Sequence, residues 1–151
     1  MLIITDDQIA QMQRHGEAGY PHEVCGLLVG RTTADGARIV EQIRATANLN
    51  TERAHDRYIL DPQQYLQIET DAAAQGLEVI GVYHTHPDHP SRPSETDRAR
   101  AEEVWGNVDA ESWSYVILQI AKGRAGTWNS WVLRNAAFAE ERCIAPERVT
   151  E

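Results

Sequence analysis

Apolar positions along this chain alternate between helical spacing and short continuous runs. Thr5-Asp6-Asp7-Gln8 has the form of a capping box, and Ile9 with Met12 continues at helical spacing, which predicts a helix over residues 6–18, ended by Tyr20-Pro21. Residues 24–30 (Val-Cys-Gly-Leu-Leu-Val-Gly) are an apolar run between turn signals and predict a central strand whose glycines allow close backbone approach. After the turn Ala34-Asp35-Gly36, residues 37–43 predict a half-exposed strand. A polar segment, Asn48-Leu49-Asn50-Thr51, breaks the pattern, and Tyr58-Ile59-Leu60 predicts a brief strand. Asp61-Pro62 then starts a helix in which Tyr65, Ile68 and Ala72 recur at helical spacing up to Gly76. Residues 79–83 predict a buried strand, 94 to about 105 a helix, and 115–120 with 127–133 a hairpin. From Ala136 onward no element is assigned. This order predicts one α/β domain over residues 1–151, a single mixed sheet with helices packed on it.

The chemistry gathers where the strand at 79–83 ends. If it continues through His84-Thr85-His86, a period of two puts both histidines on one face, where two imidazoles can hold one metal ion. Pro87, Pro90 and Pro93 stiffen the following loop, and Asp97 falls in the first turn of the helix opened by Ser94. His84, His86 and Asp97 are together a suitable set for zinc with an open fourth position. Each piece also has a plainer explanation. An H-x-H pair arises from two separate surface histidines, and Ser94-Glu95-Thr96-Asp97 is itself a capping box.

Composition narrows the partners. The chain of 151 residues carries a net charge of −9, so it lacks the basic field that supplies non-specific nucleic-acid affinity. A local cluster, Arg92, Arg98 and Arg100, is expected to be a solvated face. No apolar run approaches membrane-spanning length, and residues 1–7 have no basic segment or cleavage-site pattern, so a cytoplasmic protein without membrane contact is expected. Cys25 and Cys143 are too few for a disulfide framework, and Cys25 reads as a buried thiol.

Glu23 just before the Gly26-Leu27-Leu28-Val29-Gly30 strand, then His84-Thr85-His86-Pro87, then Ser94-Glu95-Thr96-Asp97 seven residues on, resemble the signature of the JAMM/MPN+ metallopeptidase family. The likeness covers about residues 5–135 and is supported by the Tyr58-Ile59-Leu60-Asp61-Pro62 stretch. It departs in one place, Thr85, where serine is commonest. The resemblance implies a mostly antiparallel, curved mixed sheet flanked by helices, with deaminase-like layering. It implies that His84, His86 and Asp97 bind one zinc ion, that Glu23 is general base and then general acid on the metal-bound water, and that Ser94 hydrogen-bonds near the tetrahedral intermediate. Within the family this chain is similar to the stand-alone bacterial members. That implies hydrolysis of an amide or isopeptide bond after the Gly-Gly terminus of a ubiquitin-like sulfur-carrier protein. The alternative is a non-catalytic MPN scaffold that binds protein partners. His15, His22, His55 and His89 lie outside the pattern and read as ordinary polar residues.

Overall fold

The computed structural model describes residues 1–52, 54, 58–103 and 110–146. In chain order its elements are β1 (Leu2–Ile3), α1 (Asp6–Gly19), β2 (Cys25–Thr32), β3 (Arg38–Thr46), α2 (Pro62–Ala74), β4 (Glu78–Pro87), α3 (Glu95–Glu103), a short 3-10 turn (Ala110–Ser112), β5 (Ser114–Ala121), β6 (Arg124–Arg134), β7 (Ala137–Glu141) and β8 (Cys143–Ile144). The caps are those read from the sequence. Thr5 accepts from the Gln8 amide while the Gln8 side chain accepts from the Thr5 amide, and Asp61 caps α2 with Pro62 at its first position.

All eight strands form one sheet in the order β7-β6-β5-β4-β2-β3-β1-β8. Four pairings are antiparallel (β2 with β3 and β4, β6 with β5 and β7), and three are parallel (β4 with β5, β1 with β3 and β8). Laid flat, eight strands would hold β7 and β8 about 33 Å apart, from seven spacings of about 4.7–4.9 Å. Yet only Arg142 separates the end of β7 from the start of β8, which limits Glu141 and Cys143 to about 7 Å. The sheet therefore curls until its two edges meet, and the Leu2 amide donates to the Arg142 carbonyl at 2.9 Å at that seam. The expected curved, mostly antiparallel sheet is the one observed.

The two faces carry separate cores. On one, Cys25, Leu27, Val29 and Val82 pack with Ile68 and Ala72 of α2; on the other, Leu28, Ile80, Tyr83 and Val116 pack with Met12 of α1. A register shift opposite Leu28 and Val29 leaves Ile80 unpaired on β4, which is why Ile80 and Tyr83 share a face that Val82 does not. Gly30 is required by the close approach of β3, since a Cβ there would lie 1.8 Å from the Ile39 carbonyl oxygen. Leu28→Ala is expected to lower stability by about 2–5 kcal/mol in urea unfolding, because the side chain is fully buried between α1 and the sheet.

One expectation is corrected, and two segments need comment. Tyr58-Ile59-Leu60 is not a strand: Leu60 makes a single bridge to Asn48, and the Ile59 amide is bonded by the Asn48 side chain. The segment is fixed by the Asn48 side chain and one backbone bond, from the Leu49 amide to the Ile59 carbonyl at 2.9 Å, instead of a ladder. At the ends of the chain, β1 and β8 are two residues long, too short to show a period, and β7 reads Ala-Phe-Ala-Glu-Glu, too polar to suggest a strand. These segments are strands because the curled sheet supplies partners. Finally, helix α3 spans Glu95–Glu103, and the expected continuation to about residue 105 lies outside the described residues, as does His55. Among the described residues no helix is long and apolar enough to cross a membrane.

Both cysteines are free thiols. Burial pushes the Cys25 thiol up to about 11 and Cys143 up to about 12, so neither holds much thiolate near neutral pH. Native protein at pH 8 is expected to react slowly with an aromatic disulfide reagent, and guanidinium-unfolded protein to release two equivalents at once. Fast native labelling of Cys25 would contradict its burial.

Candidate metal centre and active site

Strand β4 does continue through the histidines, and its period of two decides what faces where. His84 and His86 lie on the α2 side, where the His84 ring stacks on buried Tyr58 with centroids 4.5 Å apart. Thr85 points the other way and is fully buried beside Gly16 of α1. Its hydroxyl accepts from the Val24 amide at 2.9 Å, and its own amide donates to the Val24 carbonyl at 3.1 Å. Those two bonds fasten the start of β2, and hence Glu23, beside the histidines. From the other side Asn48 donates to the Glu23 carbonyl at 3.1 Å.

Donor atoms from three elements converge here. His84 Nε2 and His86 Nε2 are 3.1 Å apart, His84 Nε2 is 3.2 Å from Asp97 Oδ1, and His86 Nε2 is 3.0 Å from Asp97 Oδ2. Glu23 joins them, with one ligand atom each from Glu23, His84 and His86 within 4.8 Å of one another. The residues fit a metal. Ligands about 2.0–2.1 Å from a tetrahedral zinc stand about 3.3–3.4 Å apart, close to the spacing observed. His86 Nδ1 is 2.8 Å from the Pro90 carbonyl oxygen, a contact that requires an N–H, so in the neutral ring Nε2 carries the lone pair. His84 Nδ1 is buried without a hydrogen-bond partner.

Burial and the Asp97 carboxylate act in opposite directions on the two rings. Burial, the largest influence, holds the His84 imidazole below its ordinary pKa and so favours the neutral ring. Burial is also the largest single influence on His86 and acts the same way, but the hydrogen bond and charge of Asp97, the Pro90 carbonyl and the charge of Glu23 together outweigh it and raise that group. Burial also opposes ionisation of Asp97, yet the charge and hydrogen bonds of the two histidines hold its carboxyl well below the usual range.

Ser94 sits at the start of α3 and makes the capping box in full. Its amide donates to Asp97 Oδ2 at 2.9 Å, and its hydroxyl oxygen accepts from the Asp97 amide at 3.1 Å. The cap uses the oxygen as an acceptor and leaves the hydroxyl proton for another partner, so capping and binding do not compete for one atom. Glu23, His86, Ser94 and Asp97 line one cleft of about 350 Å³. His89 and Arg92 line it too, whereas His15 is bonded to Tyr83 and His22 is exposed outside it. Asn48, which bonds the Glu23 carbonyl, carries no signal in the sequence beyond its neighbours, and the Tyr58–Pro62 stretch supports the family likeness without pointing to the Tyr58 ring against His84.

Prokaryotic homologs of the JAB domain match this chain over residues 5–134. The chain belongs to the JAMM/MPN family. Among JAMM/MPN relatives, a desampylase of Haloferax volcanii is 38% identical over 96 residues, 63% of this chain and 66% of the desampylase, so the match spans just under two thirds of that relative. A CysO-cysteine peptidase of Mycobacterium tuberculosis is 30% identical over 93% of this chain and 88% of its own length. The solution structure of a protein from Desulfitobacterium hafniense superposes with a TM-score of 0.79 at 28% identity, covering 96% of this chain and 92% of that one. The five polar positions singled out in the sequence gather at one site, where Glu23, His86, Ser94 and Asp97 line the cleft and His84 lies behind them against His86 and Asp97.

Proposed function

We propose that this JAMM/MPN member is a zinc-dependent hydrolase that cuts an amide or isopeptide bond after the C-terminal Gly-Gly of a ubiquitin-like carrier protein. The observation that carries the reading is the convergence of the His84 and His86 Nε2 atoms, 3.1 Å apart, on the two oxygens of Asp97 at 3.2 and 3.0 Å, with a Glu23 carboxylate oxygen within 4.8 Å of both rings. In this reading His84, His86 and Asp97 hold the ion. Zinc so bound supplies Lewis acidity and lowers the pKa of water to about 7. Glu23, buried in the cleft wall, takes a proton from the attacking water and passes it to the leaving amine. In the same reading the Ser94 hydroxyl, whose proton the cap does not use, donates to the oxyanion as it forms. The relatives' names, desampylase and CysO-cysteine peptidase, support a ubiquitin-like or sulfur-carrier substrate.

The test is metal content together with cleavage of a carrier protein extended beyond Gly-Gly. One zinc per chain, with cleavage lost on chelation and restored by zinc, is the expected result. Protein that binds no metal and cannot be reconstituted would sink it, and zinc-loaded protein that binds the carrier without cutting it would favour a non-catalytic scaffold.

Ser94 separates its two roles in a pair of variants. Ser94→Ala loses the cap and the donor, and is expected to cost about 1 kcal/mol of stability and about 10²-fold in rate. Ser94→Asp keeps a capping oxygen without the proton, so stability should return while the rate stays low. Recovery of rate in Ser94→Asp would remove the assigned donor role.

A further inference from the structure

The basic cluster seen in the sequence divides in the structure. Arg98 is paired with Glu95, whereas Arg92 is exposed, makes no hydrogen bond or ion pair among the described residues, and lines the cleft of Glu23, Ser94 and Asp97. Its backbone is held on both sides. Pro90 gives its carbonyl to His86, and Ser91 is buried, its hydroxyl bonded to Asn129 and Thr127 of β6 and its carbonyl accepting from Trp131 Nε1 at 3.1 Å. Pro93 follows, and then Ser94, whose amide is bonded to Asp97. Arg92 thus lies two residues from Pro90 and two from Ser94, at most about 7 Å from each along the chain. An extended arginine side chain covers a comparable distance. The loop therefore presents a guanidinium on the wall of a cleft whose centre carries two carboxylates, in a protein of net charge −9.

In the zinc-loaded centre of the reading above the ion's charge offsets the two carboxylates, which leaves Arg92 as the unpaired charge on that wall, suited to an anionic substrate group. We infer that Arg92 binds the α-carboxylate of the leaving amino acid, so that the preferred scissile bond joins the Gly-Gly tail to a single terminal residue or short peptide with a free carboxylate, in preference to a lysine side chain within a folded protein. This rests on the hydrolase reading above. Arginine suits the task because its planar fork meets a carboxylate with two parallel hydrogen bonds. Since Arg92 is exposed, the bond is screened by salt, which keeps the expected discrimination modest.

The probe is acetyl-Leu-Val-Gly-Gly-Ala as the free acid and as its C-terminal amide, given to zinc-loaded full-length protein. Wild type is expected to cleave the acid with kcat/KM about tenfold above the amide, a difference of one charge-assisted bond, and the gap should narrow as ionic strength rises. Arg92→Gln should bring the two within about twofold by slowing the acid alone, Arg92→Lys should keep part of the preference, and His89→Asn on the same wall should keep all of it. Equal rates in wild type, or an unchanged preference in Arg92→Gln, would overturn the assignment. NMR of the Arg92 Nε–H supplies a readout independent of turnover: it should shift on titration with the acid at millimolar concentration and not with the amide. If neither peptide is cut by any variant, the hydrolase reading fails for this substrate class while the NMR result still decides whether Arg92 receives a carboxylate. Absence of a shift with the acid rejects the inference.

Discussion

Glu23→Ala is expected to lower cleavage of a Gly-Gly-extended carrier by about 10²–10⁴-fold, the range for loss of a positioned general acid–base group, while zinc content stays at one per chain. The separation of the two readouts follows from the geometry. The oxygens of Asp97 approach the ring nitrogens at 3.0–3.2 Å, so His84, His86 and Asp97 make a closed triangle that does not need Glu23. Glu23 is held by other means, through Thr85 bonded to Val24 and Asn48 bonded to the Glu23 carbonyl, and truncation of its side chain leaves both of those bonds in place. Folding stability is therefore expected to hold or to rise slightly, as it often does when a group kept for function is removed from a buried site. Glu23→Gln should behave like alanine, because an amide neither takes nor gives the proton. Cleavage by Glu23→Ala at the wild-type rate would leave metal-assisted hydrolysis standing and remove Glu23 from it. Loss of zinc in the same variant would instead make Glu23 part of the metal's own ligand set.

Much of this site was legible from sequence because its parts are local. His84 and His86 share a face through the strand's period of two, and Asp97 is placed by the helix that Ser94 caps. Glu23 is different, since nothing within 50 residues of it announces chemistry, and only the family resemblance singled it out. The structure supplies the physical reason in the antiparallel pairing of β2 with β4, which sets Cys25 opposite His84. The contact of Tyr58 with the site was not legible, because it is a ring stacked on His84, which no spacing encodes. In the fold, periodic segments such as α1, β2 and β5 were readable, and β1, β7 and β8 were not, since a strand of two residues or of Ala-Phe-Ala-Glu-Glu is defined by the neighbours that the curled sheet brings to it. Arg38 and Glu141 were unreadable for the same reason. One falls in a strand expected to be half-exposed and the other in a segment with no pattern, and their partnership spans 103 positions.

That pair carries the largest expected effect on stability: Glu141→Ala should cost about 3–5 kcal/mol, the cost of leaving the other member of a buried pair without its partner. Glu141 and Arg38 have side chains only 2% and 7% exposed, with Arg38 Nη1 3.1 Å from Glu141 Oε2. The other carboxylate oxygen accepts from the hydroxyls of Ser114 at 2.7 Å and Ser130 at 2.8 Å, so β5, β6 and β7 meet on one side chain. Arg38 in turn donates to the carbonyls of Ser112 and Glu111, at 2.6 and 3.2 Å, which ties β3 to the turn before β5. Strands β3 and β7 are far apart in the strand order, and this bridge spans the interior where the sheet has curled to bring its edges together. Removing the carboxylate takes the ionic partner from the Arg38 guanidinium and from the Met1 ammonium, 3.3 Å from Glu141 Oε2, and the acceptor from two buried hydroxyls. Against a stability of about 5–15 kcal/mol for a domain, the loss should lower the urea midpoint clearly and the melting temperature by roughly 6–20 °C. The double variant Arg38→Met with Glu141→Leu should recover the part due to the uncompensated guanidinium, because apolar residues of similar volume have no charge to desolvate, while the Ser114 and Ser130 hydroxyls still lack their acceptor. A midpoint for Glu141→Ala within error of wild type would mean that the bridge is not what holds the sheet closed. Folded Glu141→Ala protein should still bind one zinc, since Ser114 is bonded to Glu141 at the far end of β5 from Leu118 and Gln119, the residues paired with Thr85 and His86.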